Sequence, residues 1–297
     1  MSIPFVKYRK IYFVFSAVLI IVSIALLFRF GLKPGIDFTG GSILEMEYKA
    51  QRPSNQEISQ KLSGFDLGEI SIQPTGERGV IIRMKDINED THQQIIQALK
   101  ASSDLEEKRF ESIGPVIGQE LKDKTKAVVI LSLLVMLLYI AIAFRKVSKP
   151  VSSWQYGIAS VFMLSHDILI PLGAFALLGK FYNIQITIPI IAALLTIVGY
   201  AINNVVVVYD RMRENILRGK GLNFEEITDN AINQTLTRQI NTSLTTLFPL
   251  IAIFLIGGET LRYFALTLIL GISAGTYSSI FLAGPILVSW LRRRKNI

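Results

Sequence analysis

Apolar residues in this chain fall in long blocks separated by polar stretches, a pattern that predicts membrane-spanning helices. Six runs qualify: Ile11–Phe28, Ala127–Phe144, Tyr156–Leu178, Ile184–Tyr209, Ile240–Ile256 and Tyr263–Leu291. Each reaches or exceeds the roughly 17–25 residues that cross a hydrocarbon core of about 30 Å. The first run lacks a small-x-small cleavage site, so it reads as a retained signal anchor.

Residues 31–126, between the first two runs, alternate differently. "SILEMEY" (Ser42–Tyr48) has the two-residue period of a half-buried strand. A helix follows, with Ser54 as N-cap and Glu57 three residues on as its capping-box partner. The strands "EISIQP" and "GVIIRMK" flank the turn-prone "TGERG", a second helix covers Asn88–Ala101, and a last strand covers Lys108–Ile113. The β-α-β-β-α-β order predicts a small ferredoxin-like α+β domain.

Charge at the ends of the runs orients them. Lys7, Arg9 and Lys10 precede the first; Arg145, Lys146 and Lys149 follow the second; Arg211, Arg213, Arg218 and Lys220 follow the fourth; Arg292, Arg293, Arg294 and Lys295 follow the sixth. The opposite connections hold mainly Lys180 and Arg262. The positive-inside rule then places both termini in the cytoplasm and the α+β domain outside it. The expected organisation is a cytoplasmic N-terminus and first span over 1–30, an extracytoplasmic domain over 31–126, a bundle of the remaining spans over 127–291 and a basic tail over 292–297. Within the bundle, 210–239 is an amphipathic connection in which Phe224, Ile227, Ala231 and Leu236 fall near helical spacing, which reads as an interfacial helix beneath the bundle.

Composition narrows the function. The 297 residues are 51% hydrophobic and 18% charged, with net charge +8 and mean hydropathy +0.44. No basic face interleaved with aromatics occurs, so the positive charge suits anionic lipid rather than nucleic acid. There is no cysteine, and the histidines, His92 and His166, fall in different predicted compartments, which argues against thiol chemistry and a histidine zinc site. A histidine–aspartate pair, His166–Asp167, lies inside the third run, where a charge costs at least ~2.5–3.5 kcal/mol unless it faces protein or water. Two readings stand: a structural hydrogen-bonded pair, or a part in proton movement. No paired membrane aspartates or Ser–His constellation accompanies it, so an intramembrane hydrolase is not expected.

Other motifs bear on packing. Gly35, Gly40 and Gly41 in "GLKPGIDFTGG" suit a stiff hinge after the first span, with Asp37 able to accept backbone bonds; a phosphate cradle needs a strand before and a helix after, and here the order is reversed. Gly271 and Gly275, continued by Ser279, form a small-residue seam, and Gly199 suits the same role in the fourth run. Asn203 and Asn204 read as polar glue between helices, worth roughly 0.6–2 kcal/mol. Arg238 reads as a headgroup anchor, Thr242, Ser243, Thr245 and Thr246 either bond back to their helix or line a wet path, and Asp210, Arg211, Arg213 and Glu214 form a salt-bridged anchor.

The order of "GIDFTGG", "ESIGPVIGQELK", "LSHDILIPLGAF", "VGYAINNVVVVYDRMREN", "NQTLTRQINTSLTTL" and "GISAGTYSSIF" resembles that of bacterial SecF, in the SecD/SecF family of RND-like membrane proteins, over essentially the whole chain. The resemblance implies a six-span RND-like half-bundle in the bacterial inner membrane that assembles with SecD and acts as an accessory to SecYEG. It implies further contact with YajC or YidC and with unfolded preprotein, protons rather than a cofactor as the coupling species, and no enzyme activity. It places Asn204 where the family usually has an Asp implicated in proton transfer, and Arg238 at the family's basic residue near that path. An amide does not titrate, so Asn204 departs from the pattern and leaves open a titrating carboxylate supplied by SecD. The alternatives are half of an RND-type exporter of small molecules or lipids, and a non-coupling structural subunit of the translocon.

Overall fold

The computed structural model describes residues 3–101, 103–143, 150–218 and 223–295. In chain order these form α1 (Arg9–Phe30), α2 (Ile36–Thr39), β1 (Gly41–Tyr48), α3 (Asn55–Leu62), β2 (Ser71–Thr75), β3 (Gly79–Met84), α4 (Glu89–Lys100), β4 (Leu105–Ile113), α5 (Pro115–Ala143), α6 (Ser153–Tyr182), α7 (Ile188–Arg218), α8 (Phe224–Ile256), α9 (Glu259–Phe281) and α10 (Ala283–Lys295). They divide into two compact units: residues 33–128 with 185–187, and the rest.

The smaller unit is a four-stranded antiparallel sheet of order β2-β3-β1-β4, with α3 and α4 packed against it. Leu44, Met46 and Tyr48 point alternately from β1 into a core shared with Ile58, Leu62, Ile95 and Leu99 of the helices. The caps are local and legible: Ser54 and Glu57 close a reciprocal capping box, and Asn88 Oδ1 accepts from Thr91 N at 3.0 Å. The expected β-α-β-β-α-β order is present, with β4 starting earlier than expected, at Leu105.

His92 is buried in α4 and stacks on Phe110 with ring centroids 3.8 Å apart. Its Nδ1 lies 3.2 Å from both Glu89 carboxylate oxygens, and its Nε2 lies 3.2 Å from Glu107 Oε1. The hydrogen bond from Gln93, then that from His92, holds the Glu89 carboxyl below the usual carboxylate range. A depressed folded-state pKa stabilises above the unfolded value, and the stabilisation is lost as pH falls through the folded one. Glu89→Gln is therefore expected to speed amide exchange across Glu89–Lys100 near neutral pH, with variant and parent converging in acid; a gap independent of pH contradicts this.

Among the described residues of the larger unit, five helices are long and apolar enough to cross a membrane: Val6–Phe30, Ser153–Tyr182, Ile188–Arg218, Phe224–Ile256 and Thr260–Phe281. The expected span Ala127–Phe144 falls on the second half of α5; Phe144, Arg145, Lys146 and Lys149 lie outside the described residues, as does Lys220. Three expectations change. Ile184–Tyr209 loses its start, because residues 185–187 pair with the smaller unit. Tyr263–Leu291 is two helices broken at Leu282, because Pro285 has no N–H and its ring excludes the carbonyl four residues back. The connection over 210–239 is no separate interfacial helix: its described residues extend α7 and begin α8. Ile227, Thr228, Ala231, Ile232, Thr235 and Gln239 are all buried there, and Thr228 and Thr235 satisfy their hydroxyls on carbonyls of α8 itself. A polar stripe can thus face protein as well as water.

The core of this unit joins α6, α7, α8, α9 and α10 through Tyr156, Val198, Val205, Tyr209, Ile232 and Leu287. The N-terminal segment is fastened to α8: Asn233 exchanges two 2.9 Å bonds with the Ile3 backbone, and Asp229 Oδ1 accepts from Val6 N at 2.9 Å.

Candidate functional site

Small residues on α9 set the geometry of the helical interior. A Cβ on Gly271 would collide with Ile197 of α7, and one on Gly275 would lie 3.4 Å from Ala201 Cβ and 3.4 Å from Asp167 Oδ2. Ile197–Gly271 and Ala201–Gly275 share one register, and Tyr209 Oη donating to the Ala283 carbonyl at 3.2 Å extends it. The same register sets Asn204 level with Ser278. Without side chains at Gly271 and Gly275, α9 approaches closely enough for its hydroxyls to reach α6 and α8.

A buried polar layer results. On α6, His166 and Asp167 are fully buried, and His166 Nδ1 lies 2.9 Å from Asp167 Oδ1. Ser278 Oγ donates to Asp167 Oδ2 at 2.9 Å. On α8, Gln239 Nε2 donates to Thr235 Oγ1 at 3.1 Å, and Gln239 Oε1 accepts from Ser279 Oγ at 2.6 Å. Ser243 and Thr276 hydroxyls meet at 2.6 Å, and Tyr200 Oη donates to Ser243 at 3.2 Å. Tyr277 stacks on the His166 ring at 6.1 Å and donates to the Tyr12 carbonyl at 3.1 Å. His166 Nε2 and Asn204 Nδ2 are buried with no hydrogen-bond partner among the described residues.

The candidate residues divide between inside and outside. Asp167, His166 and Asn204 belong to the interior, with Asn204 3% exposed. Asn203 and Arg238 are exposed on α7 and α8. Gly199, expected at a packing seam, also faces outward, with open space where a side chain would project; Ile197 and Ala201 take its place because the helical period turns them toward α9. Thr242, Thr245 and Thr246 bond back to carbonyls of α8, and only Ser243 reaches another helix. The acid–base cluster forms the pairs Arg211–Glu214 at 2.6 Å and Arg218–Glu214 at 2.9 Å. Gln239, Thr276, Tyr277 and Ser278 were missed from sequence. The spacing Thr235–Gln239–Ser243 puts three polar residues on one helical face, but polar residues on every side of that stretch hide it.

The glycine turn belongs to the smaller unit. Gly35 N donates to the Ile186 carbonyl at 2.7 Å, Ile186 N donates to the Lys33 carbonyl at 2.7 Å, and a Cβ on Gly35 would stand 2.9 Å from Ile186 O. Gly40 and Gly41 have φ of +72° and +128°, a region side chains disfavour, and a Cβ on Gly40 would lie 2.8 Å from Pro115 Cα. Asp37 sits in the first turn of α2 between them. Among the described residues, no cluster of three or more His, Cys, Asp or Glu suits a metal ion.

Two family models match: "SecD/SecF GG Motif" over residues 25–51, which holds the glycine turn, and "Protein export membrane protein SecD/SecF, C-terminal" over residues 93–293, which holds the polar layer. Among curated relatives, the protein translocase subunit SecF of Thermobaculum terrenum is 37% identical over 97% of this chain and 94% of its own. Those of Rhodothermus marinus and Vibrio alginolyticus are 39% and 38% identical, over 98% and 96% of this chain and 94% and 89% of theirs. The crystal structure of SecDF from Thermus thermophilus superposes with TM-score 0.86 at 31% identity over 100% of this chain. A SecDF structure in a super-membrane-facing form gives 0.70 at 32%, again over 100% of this chain. This chain spans 39% and 40% of those two chains. With the SecF relatives matched nearly end to end and both family models falling on the elements just described, the chain belongs to the SecD/SecF family of protein-export membrane proteins, on its SecF side.

Proposed function

We propose that this chain is the SecF half of a SecD–SecF assembly in the bacterial inner membrane, promoting preprotein movement through SecYEG at the expense of the proton-motive force. The observation that carries this is the pair of matches: the Thermobaculum terrenum SecF is covered over 94% of its own length, and this chain superposes on part of a SecDF chain, which together support SecD as the partner. In this reading α5 supplies a sixth span, the basic flanks keep both termini cytoplasmic, and the β2-β3-β1-β4 unit is a ferredoxin-like domain on the outer side. Contact with emerging preprotein falls to that domain; YajC or YidC are further partners. The chain acts as a transport subunit rather than an enzyme and needs no cofactor beyond protons.

SecD docks on the outward face of α7 and α8. Thr196, Gly199 and Asn203 are exposed at successive turns of α7, and the exposed Arg238 stands on α8. Gly199 admits close helix approach, and Arg238 offers a fixed cation to a carboxylate of the partner.

Within the six apolar runs Asp167 is the sole carboxylate and His166 the sole ionisable base. With an amide at 204, Asp167 is the carboxylate of this subunit able to hold a proton inside the membrane, with the His166 imidazole bonded beside it. Coupling needs two arrangements that differ in proton affinity; the Ser278–Asp167–His166 chain is the element that would differ.

The test is preprotein export into vesicles carrying this chain with SecD, with and without a proton gradient. Gradient-driven export supports the reading. Export indifferent to the gradient supports the second reading, a non-coupling structural subunit, which Asn204 favours. Arg238→Leu is expected to slow gradient-driven export several-fold and leave gradient-free export unchanged; normal rates in both leave Arg238 a lipid anchor. Asn204→Asp is expected to increase the gradient dependence, and no change removes that position from coupling.

A further inference from the structure

A cleft of about 790 Å³ opens in the helical unit between α1, α6 and α10. It lies apart from the α7–α8 face and meets the polar layer only through the Ser16–Tyr277 contact. Its origin is geometric: Gly173 of α6 lies so close to Ser23 of α1 that a Cβ there would overlap it, and the cleft is lined by earlier residues of both helices. The walls are mostly apolar, with Ala17 and Ile20 on α1, Phe162 on α6 and Ile286 on α10.

One end is chemically distinct. Trp154 and Trp290 meet edge to face there, ring centroids 5.0 Å apart, and Arg293 lines the same end. Arg292 is ion-paired with Glu225, whereas Arg293 has no carboxylate partner among the described residues. Tryptophans beside an unpaired guanidinium mark the level of lipid headgroups.

We infer that this cleft binds an anionic phospholipid of the leaflet on the side of the basic termini, with its phosphate on Arg293 and one acyl chain between α1, α6 and α10. Charge complementarity with Arg293 selects the headgroup, and the apolar walls that continue from the tryptophan end select a lipid over a soluble ligand. At the cleft floor, Ser16 Oγ donates to Tyr277 Oη at 3.3 Å, and Tyr277 stacks on His166. The acyl chain therefore packs behind the polar layer and keeps water from that side of it. The inference rests on membrane embedding and not on export, so its test is independent of the export assay.

Trp154 and Trp290 are the chain's two tryptophans, so intrinsic fluorescence reports the cleft mouth directly. The full chain is reconstituted in vesicles of phosphatidylcholine and phosphatidylglycerol at a 1:3 anionic-to-neutral ratio, with bromine on the acyl chains of one lipid at a time. The quenching is expected to show phosphatidylglycerol favoured about fivefold over phosphatidylcholine, the factor one cation is worth near an anionic surface. Arg293→Gln is expected to abolish the preference and Arg293→Lys to retain most of it. Lys7→Gln, outside the cleft at the same membrane side, is expected to leave it intact. Ala17→Phe, which fills the cleft without changing charge, is expected to lower quenching by both lipids. Equal quenching by the two lipids in the parent, a preference that survives Arg293→Gln, or one weakened equally by Lys7→Gln would overturn the inference.

Discussion

Asp167→Asn is expected to reduce gradient-driven export at least tenfold while leaving the folded bundle and gradient-free export intact. The substitution preserves shape, and Ser278 still finds an oxygen to donate to, so the contact between α6 and α9 survives. What is lost is the carboxylate that can take up and release a proton beside His166. One proton crossing about 100 mV supplies roughly 2.3 kcal/mol, a factor of about 50 in an equilibrium. No other carboxylate lies within the apolar runs to replace it. Export measured with and without the gradient separates this loss from misfolding, which lowers both. An Asp167→Asn subunit that still responds fully to the gradient would transfer the titrating role to SecD.

Gly271→Ala is expected to destabilise the helical unit by about 1–3 kcal/mol, whereas Gly275→Ala costs well under that. The two glycines belong to the same seam, yet only the first is overfilled by a methyl group. At Gly271 the new Cβ would run into the branched side chain of Ile197, including its Cγ2, which cannot swing away as a chain end can. At Gly275 the nearest atoms stand at ordinary contact distance. Ile197→Ala combined with Gly271→Ala makes room, so the double variant is expected to recover part of the loss, with a coupling of about 0.5–3 kcal/mol. Thermal unfolding of the purified chain in detergent measures all of these. Equal effects at Gly271 and Gly275 would contradict the close approach at Ile197.

The sequence alone determined which parts of the chain are apolar enough to cross a membrane and which form a strand-and-helix unit, because hydrophobic blocks and strand alternation are properties of neighbouring residues. The Ser54–Glu57 box, the order of strands and helices along the smaller unit and the motif series of the family were legible for the same reason. His166 and Asp167 were legible as oddities, since a charge in an apolar run stands out against its neighbours. Tertiary structure decided which face each polar residue shows. Asn203 and Asn204 are adjacent in sequence, yet a helix turns about 100° between them, so one faces out and the other in. Gln239, Thr276 and Ser278 entered the polar layer because the bare backbone at Gly271 and Gly275 lets α9 reach its neighbours, a contact between segments far apart in sequence. The same limit explains the reassignment of residues 224–239 to α8 and of Gly199 to the outer face. Periodicity fixes that a stripe exists, and only the packing partner fixes whether lipid, water or protein lies against it.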